Sequence, residues 1–430
     1  MDQSLKKYVI FWLSQSMSQL GSAMTSFALI LWVYTKNNSA LTVSLMSFCS
    51  YVPYIMTSLF AGTYVDRHSK KKIMLIVDSA AAVCSLAVLG MSSGGVLQVW
   101  HIYAVNCVIG FMNSFQGPAS AVVTGRLVPK EKLGNISGMN SFSSNLTAVL
   151  TPVLAAFLFA MGGLVPILVF DLGSFIVAFL VLLLVIHVPE TEKESGKKAS
   201  VFAGSKEGFY FLAQNRGIFM IVVTTAVLNF FSRLTYENIL SPMILSRSGN
   251  SSMALGAVNA AIGIGGIAGG IIVSAGKMPK NKVKMIYVSA AVSFLCGDLL
   301  MGAGRNVIGW AAAGIAASLP IPFINAGQNV ILYRKVPDGM QGRVFAVRNA
   351  IQYSTIPLGI LLGGFLADYV FEPFMKSGNP AVSLLQLLVG EGAGSGMAVM
   401  FLCTGVCGGL FSLIFYHKKE LKELKELEEG

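Results

Sequence analysis

A basic and an acidic residue, Arg233 and Glu237, lie four positions apart inside a long apolar run. Side chains at that spacing share one face of a helix and can form an ion pair. An ionisable group inside a membrane span is energetically costly, so it is a candidate functional residue by default. Protonation of Glu237 could break the pair and change the conformation, or the pair could be permanent and only position its helix. The sequence leaves both roles open.

Three further acids interrupt apolar runs, namely Asp78, Asp171 and Asp298. Each lies towards one end of its run, where water is within reach, so each has either a structural role or a role in proton coupling. We take Asp78 and Asp171, together with the pair described above, as the proton-coupling candidates. Another base, Arg348, lies just inside an apolar run, and we expect its side chain to extend to the cytoplasmic face.

Uncharged polar side chains recur in the first, fourth, seventh and tenth apolar runs. Such residues either line a substrate cavity or form hydrogen bonds between helices, which contribute about 0.6 kcal/mol per pair. The substrate-cavity candidates are Gln15, Gln19, Asn106, Asn113, Gln116, Asn229, Tyr236, Asn325 and Gln328.

Several other kinds of chemistry lack their sequence patterns. No phosphate-binding loop is present, the four histidines show no HExxH spacing, and the six cysteines form no close CxxC pair. We therefore predict that the chain is not an enzyme and has neither a cofactor nor a metal site. The net charge of +11 is concentrated in short segments between apolar runs, which argues against nucleic acid as a partner.

Composition identifies the environment of these residues as a lipid bilayer. Hydrophobic residues make up 54% of the 430 residues and charged residues only 12%, too few to cover a water-facing surface. A span needs about 20 apolar residues. We predict an all-α membrane protein with twelve transmembrane helices, at 8–34, 41–64, 73–93, 99–122, 136–160, 165–187, 217–246, 253–275, 285–303, 307–332, 344–370 and 396–417.

The distribution of basic residues supports this count. With the N-terminus placed in the cytoplasm, 25 of the 31 Lys and Arg residues fall in inner segments and four in outer segments. This asymmetry follows the positive-inside rule, and one missed span would destroy it. We predict a multi-pass protein of the inner or plasma membrane, in contact with lipid and with both termini in the cytoplasm.

A short repeat divides the chain into halves. Arg126-Leu-Val-Pro129, followed by Gly134, recurs 208 residues later as Arg334-Lys-Val-Pro337, followed by Gly342. We infer two homologous six-helix halves with pseudo-twofold symmetry along the membrane normal. The predicted domains are an N-terminal bundle at 1–188, a cytoplasmic linker with a possible amphipathic helix at 189–216, a C-terminal bundle at 217–417 and a cytoplasmic tail at 418–430.

The loop between the second and third predicted spans contains Gly62-x3-Asp66-Arg67-x2-Lys70-Lys71. With twelve spans in two halves, this motif resembles the major facilitator superfamily. Glycine allows close helix contact, and the aspartate can bind basic groups or a helix N-terminus. These five residues are our candidates for a conformational latch that closes the cytoplasmic side. Alternatively, the basic residues serve only to keep the loop inside.

The opening stretch narrows the resemblance. Gln19-Leu-Gly21, the segment Thr25-Ser26-Phe27-Ala28 and a following Trp32 are similar to the macrolide-efflux-like branch of drug–proton antiporters. The resemblance implies a monomeric exporter of amphipathic small molecules, such as macrolides, with protons as the coupling ion. A dedicated exporter of siderophores or lysophospholipids is the alternative within transporters. A receptor or enzyme without transport is the alternative of another class.

Overall fold

The computed structural model describes residues 3–127, 133–186, 201–275, 279–337 and 340–421. Helices account for the regular structure of these ranges, which confirms the predicted fold class. Helices α1 to α18 span Gln3–Asn37, Ala40–Arg67, Lys70–Ser93, Val99–Leu127, Leu133–Gly162, Leu164–Leu180, Val201–Gln214, Arg216–Thr235, Leu240–Arg247, Ser252–Ser274, Lys282–Val292, Leu299–Ala303, Val307–Ser318, Ile321–Lys335, Gln341–Leu366, Glu372–Met375, Pro380–Val389 and Ser395–Tyr416.

Each of the twelve predicted spans coincides with one helix or with two consecutive helices. Within the described ranges, ten helical segments are long and apolar enough to cross a membrane. The other two predicted spans correspond to α4 and α5, which contain 29 and 30 residues. Three π-helical turns, at Val181–Val185, Ser293–Asp298 and Ala367–Phe371, extend α6, α11 and α15.

The chain forms two compact units. Unit 1 comprises Met1–Ser195 with Ser251–Gly256, and unit 2 comprises Gly196–Asn250 with Ala257–Gly430. In unit 1, α2 packs on α4, α1 on α6, and α3 on both α4 and α6. Its main apolar cluster joins Tyr8 and Phe11 to Met74, Val123 and Leu182. In unit 2, α15 packs on α8, and α11 packs on α14 and α18.

Two predicted spans are interrupted. The predicted span 217–246 is broken between α8 and α9, and the span 307–332 is broken between α13 and α14. A proline in a helix lacks the N–H that would bond four residues back, and its ring clashes with that carbonyl. Pro242 disturbs Asn238 in this way, and Pro322 disturbs Ser318, the last residue of α13. The broken segment of the first span contains Tyr236 and Glu237, so it places two polar side chains directly after α8.

Two further helices lie outside the predicted spans. Helix α7 occupies the second part of the predicted linker, whose first part at 187–200 lies outside the described residues. Helix α17 occupies a segment that the sequence assigned to a loop, and it presents Leu384, Leu387 and Leu388 on its exposed face. Arg305 Nη2 donates to the carbonyl of Leu387 at 2.7 Å, and Arg247 donates to the carbonyl of Val389. Most of the tail, 422–430, also lies outside the described residues.

Candidate functional site

Unit 2 encloses a cavity of about 620 Å³ between α8, α10, α13, α14, α15 and the π-helical turn after α11. Apolar side chains form part of its wall, among them Leu228, Ile262, Phe294, Ile321 and Ile324. The polar part of the wall consists of Thr225, Asn229, Ser232, Arg233, Tyr236, Ser293, Asp298, Ser318, Asn325, Gln328, Asn329, Arg348, Asn349, Gln352 and Tyr353. The cavity is therefore amphipathic.

A chain of amides crosses one side of this cavity. Gln352 Nε2 donates to Gln328 Oε1 at 3.1 Å, and Gln328 Nε2 donates to Thr225 Oγ1 at 2.6 Å. Both glutamines are buried. Because their side chains hold each other, they are positioned before any ligand arrives, which lowers the entropy that binding would lose.

Arg348 lies on the wall of the same cavity. Its Nη1 donates to Asn329 Oδ1 at 2.7 Å, and its Nε and Nη2 donate to Asn349 Oδ1 at 3.1 and 2.9 Å. These neutral acceptors fix the plane of the guanidinium without adding a negative charge. That its side chain extends to the cytoplasmic face stays a prediction.

Arg233 and Glu237 form the ion pair that their spacing allows. Arg233 is on the last turn of α8 and lines the cavity, whereas Glu237 lies in the break that follows. Gly359 of α15 packs against this turn, since an added Cβ would lie 2.9 Å from Arg233 Cβ and 3.2 Å from the carbonyl of Phe230. The pair thus lies where α8 ends and packs against α15. Whether it exchanges a proton or only positions α8 stays a prediction.

Asp298 is buried more deeply than its place near a span end indicated, with 1% of its surface exposed. Thr404 of α18 donates to its Oδ2 at 2.7 Å. Tyr236 lies next to the same carboxylate, and its hydroxyl is buried. Asp298 therefore connects two helices of unit 2 at the edge of the cavity.

Unit 1 contains its own, smaller cavity of about 220 Å³. It brings together four of the amides and both aspartates that the sequence singled out in this half. The lining consists of Gln15, Ser18, Gln19, Ser22, Val77, Asp78, Ala81, Ala82, Ser85, Asn113, Gln116, Asp171, Leu172 and Phe175. No Lys, Arg or His is among these residues, so the only charged side chains in the lining, within the described part of the chain, are the two aspartates.

Asp171 is tied to two neighbouring helices by hydroxyl groups. Its Oδ1 accepts from Ser22 at 3.1 Å, and its Oδ2 accepts from Thr25 at 3.0 Å and from Ser85 at 2.8 Å. Only 4% of its surface is exposed. Gly21 permits this arrangement, because a Cβ there would lie 2.9 Å from Asp171 Cα. Three O–H donors stabilise the ionised form of such a carboxylate.

Asp78 is less completely bonded. Gln116 Nε2 donates to its Oδ1 at 2.9 Å. Its Oδ2, the Oε1 of Gln116 and the Nε2 of Gln15 are all buried, and they have no hydrogen-bond partner among the described residues. Unpartnered buried polar atoms are rare in native proteins and indicate a place for an ordered water or ion, or a functional role. Three such atoms meet at this one cavity.

A model of the Major Facilitator Superfamily matches residues 11–360. The chain belongs to this superfamily. It is 24% identical over 373 residues to macrolide efflux protein A of Streptococcus pyogenes, covering 85% of this chain and 90% of that protein. It is also 24% identical over 393 residues to the multidrug efflux pump Tap of Mycolicibacterium fortuitum, covering 86% and 90%.

Solved structures of transporters share the fold. The nucleoside transporter NupG superposes with a TM-score of 0.66 at 13% identity, covering 97% of this chain and 100% of that one. A bacterial homologue of the human lysosomal transporter Spinster, in an inward-facing and unoccupied conformation, superposes with a TM-score of 0.64 at 12% identity, covering 99% of each chain. Membership of a superfamily of transporters confirms the prediction that the protein is not an enzyme.

The remaining substrate-cavity candidates are divided between the cavity of unit 2 and a position outside both cavities. Asn229, Tyr236, Asn325 and Gln328 line the cavity of unit 2. Asn106 lines neither cavity described above, and its Nδ2 donates to the carbonyl of Ile102 at 2.9 Å, within its own helix.

Three of the five latch candidates, Gly62, Asp66 and Arg67, lie in α2, but their contacts are not among those that the structure describes. Lys70 begins α3. Lys71 Nζ donates to the carbonyls of Leu183 and Ile186 at 2.9 and 2.7 Å. A cation at these positions binds the carbonyl groups at the end of a helix. The latch itself stays a prediction.

Sequence reasoning missed the hydroxyl and amide partners of the charged groups. Ser22, Thr25 and Ser85 hold Asp171, Thr404 holds Asp298, and Gln352 continues the amide chain. Serine and threonine are common in membrane spans, so their presence alone gives no signal. The spacing of Ser22 and Thr25, three residues apart on one helical face, was the one available indication.

Proposed function

We propose that this protein is a secondary active exporter of amphipathic small molecules, of the macrolide or drug-like kind, driven by proton entry through alternating access. The observation that carries the proposal is the amphipathic cavity of unit 2 in a chain that matches the superfamily over most of its length. The names of two relatives at 24% identity, a macrolide efflux protein and a multidrug efflux pump, support export as the direction.

The cavity of unit 2 suits such substrates in size and surface. Sites for small molecules typically have volumes of about 300–1,000 Å³ and combine apolar walls with a few placed polar groups. Leu228, Phe294 and Ile324 supply apolar surface, while Gln328 and Gln352 supply hydrogen-bonding groups in fixed positions. Apolar contact without a demanding set of charges allows related compounds to bind in the same place.

Proton coupling requires a carboxylate whose charge changes during the cycle. The candidates are Glu237 with its partner Arg233, and the two aspartates of unit 1, Asp78 and Asp171. Protonation of Glu237 would remove the negative charge that Arg233 meets at the end of α8. We further propose a monomer in the plasma or inner membrane with both termini in the cytoplasm, and a latch formed by Gly62, Asp66, Arg67, Lys70 and Lys71.

An efflux assay tests the proposal. Cells that lack their own pumps are loaded with ethidium or challenged with erythromycin, with and without a protonophore. We expect export that the protonophore abolishes, and weaker export by Gln328→Leu, which removes part of the amide chain. Glu391→Gln, a change on an exposed segment, is the matched control. If the wild type exports neither compound, the multidrug proposal is wrong.

A dedicated exporter of siderophores or lysophospholipids is the second candidate. A guanidinium group on the cavity wall, that of Arg348, favours it, because guanidinium binds carboxylate, catecholate and phosphate oxygens well. Reconstituted protein would then move a lysophospholipid with an anionic headgroup but not ethidium. The reverse preference would exclude this candidate.

A further inference from the structure

We propose that the cavity of unit 1 is the proton site of this transporter, with Asp78 as the residue that takes up and releases the proton and Asp171 as a permanently ionised partner. The proposal deepens the proton coupling proposed above and rests on it. It assigns different tasks to two carboxylates that the sequence could only name together.

The charges around the cavity favour a protonated carboxyl group. Asp78 on α3 and Asp171 on α6 line the same space of about 220 Å³. Burial away from water disfavours the charged form of a carboxylate unless a counter-charge or hydrogen bonds stabilise it. No base lines the cavity within the described residues, so no side chain on its wall can compensate both charges.

The hydrogen bonds decide which carboxylate is neutral. Asp171 accepts three O–H bonds, from Ser22, Thr25 and Ser85, and bonds of this kind favour the ionised form. Asp78 accepts an N–H bond from Gln116 and lies beside Gln15, and its Oδ2 is buried with no partner among the described residues. The proton therefore belongs on Oδ2 of Asp78, where it adds a donor at an otherwise unsatisfied atom.

The neighbours of Asp78 come from each helix that lines this cavity. Helix α1 contributes Gln15 and Gln19, α4 contributes Asn113 and Gln116, and α6 contributes Asp171. Asp171 is the only titratable group among those neighbours in the described part of the chain. A change in the charge of Asp78 therefore acts on one other ionisable group, Asp171, and on amide side chains that can rotate to present either their N–H or their oxygen.

The cavity also has room for a path to Asp78. A water molecule occupies about 30 Å³ in the liquid, so several fit in this volume. Gln15 Nε2 and Gln116 Oε1 offer a donor and an acceptor, both buried and without a partner among the described residues. Water bridging these atoms would satisfy them and carry the proton to Oδ2.

The carboxylates of unit 2 are in a different situation. Glu237 faces Arg233, so its charge is already balanced. Asp298 is held by Thr404 and is the one acid among the described residues that line its cavity. Glu237 therefore has a counter-charge and Asp298 has a hydroxyl donor, whereas Oδ2 of Asp78 has no partner among the described residues.

Infrared spectroscopy of the purified full-length protein tests the assignment. Spectra are recorded without substrate over a series of pH values, in sodium chloride and in choline chloride. We expect the wild type to show the C=O stretch of a protonated carboxyl group that disappears at high pH. Asp78→Asn should lose this band, Asp78→Glu should keep a shifted one, and the exposed-site control Glu391→Gln should match the wild type.

The outcomes separate this proposal from the function on which it rests. If the pH-sensitive band persists in Asp78→Asn and is lost in Glu237→Gln or Asp298→Asn, the assignment is overturned. Loss of the band on addition of sodium, but not choline, at constant pH would also overturn it, because the site would then hold an alkali ion. Failure of every export assay with an intact Asp78 band would instead contradict the proposed function. Size-exclusion profiles identify variants that do not fold.

Discussion

The two cavities differ in charge and in size. That of unit 1 is about 220 Å³ and has two carboxylates on its wall, whereas that of unit 2 is about 620 Å³ and has two guanidinium groups with one carboxylate. A small acidic space suits a cation as small as the proton. A larger, amphipathic space suits an organic molecule. The difference fits the proposal that the two units have separate tasks.

A second comparison concerns a hydrogen bond between an aspartate and a hydroxyl group that occurs in both units. In unit 1, Asp171 of α6 accepts from Ser85 of α3 at 2.8 Å. In unit 2, Asp298, in the turn that extends α11, accepts from Thr404 of α18 at 2.7 Å. The third and the last span of each half are thus joined by the same kind of bond, with acid and hydroxyl exchanged. Because this bond joins the same pair of spans in both units, we interpret it as a structural tie, and we look for function in Asp78, Arg233 and Arg348.

The largest effect on stability is expected at Asp171, which accepts more hydroxyl hydrogen bonds than Asp298 does. Asp171→Ala removes the acceptor of three hydroxyl groups, and hydrogen bonds to a charged group contribute about 1.5–3 kcal/mol each. Thr404→Val removes one donor from Asp298. Thermal unfolding in detergent should therefore show a larger fall in Tm for Asp171→Ala than for Thr404→Val. Equal or reversed shifts would show that the two bonds are not equivalent ties.

A smaller effect is expected from close helix packing. In unit 2, Gly359→Ala would push a Cβ to 2.9 Å from Arg233 Cβ, and overpacking of this kind costs about 1–3 kcal/mol. In unit 1, Gly173 has open space around it, and replacing a helical glycine by alanine stabilises by about 0.5–1 kcal/mol. The same substitution should thus lower Tm at Gly359 and raise it at Gly173. A rise at both positions would mean that α15 can move away from α8.

The smallest effect is expected at the surface of unit 2. Arg305 is exposed and donates to the carbonyl of Leu387 on α17. Arg305→Gln should change the free energy of unfolding by less than about 1 kcal/mol, as for other exposed charged contacts. Hydrogen exchange should rise in 380–389 only, and export should be unchanged. Loss of export would show that α17, which has no equivalent helix in the described part of unit 1, takes part in the cycle.

Much of this architecture was predictable from sequence, because lipid requires long apolar helices and makes each buried charge conspicuous. The acids of both cavities and most of their amides were found in this way. The break at Tyr236–Glu237 was missed because its cause, Pro242, acts four residues away through the backbone. The bond from Arg348 to Asn329 and the three hydroxyl bonds to Asp171 were missed because they join residues more than 15 positions apart in the sequence. The hydrophobic periodicity of one helix does not show which residues of another helix it will contact.

The central claim is that the cavity of unit 1 binds the proton and the cavity of unit 2 binds the substrate. The most direct test measures erythromycin binding and proton release together on the purified full-length protein. We predict that Asp78→Asn abolishes proton release and leaves the Kd for erythromycin within about threefold of the wild type. Gln328→Leu should weaken binding about five- to tenfold, the equivalent of one hydrogen bond, with normal proton release at saturation. Loss of binding in Asp78→Asn, or loss of proton release in saturated Gln328→Leu, would contradict the division of tasks between the units.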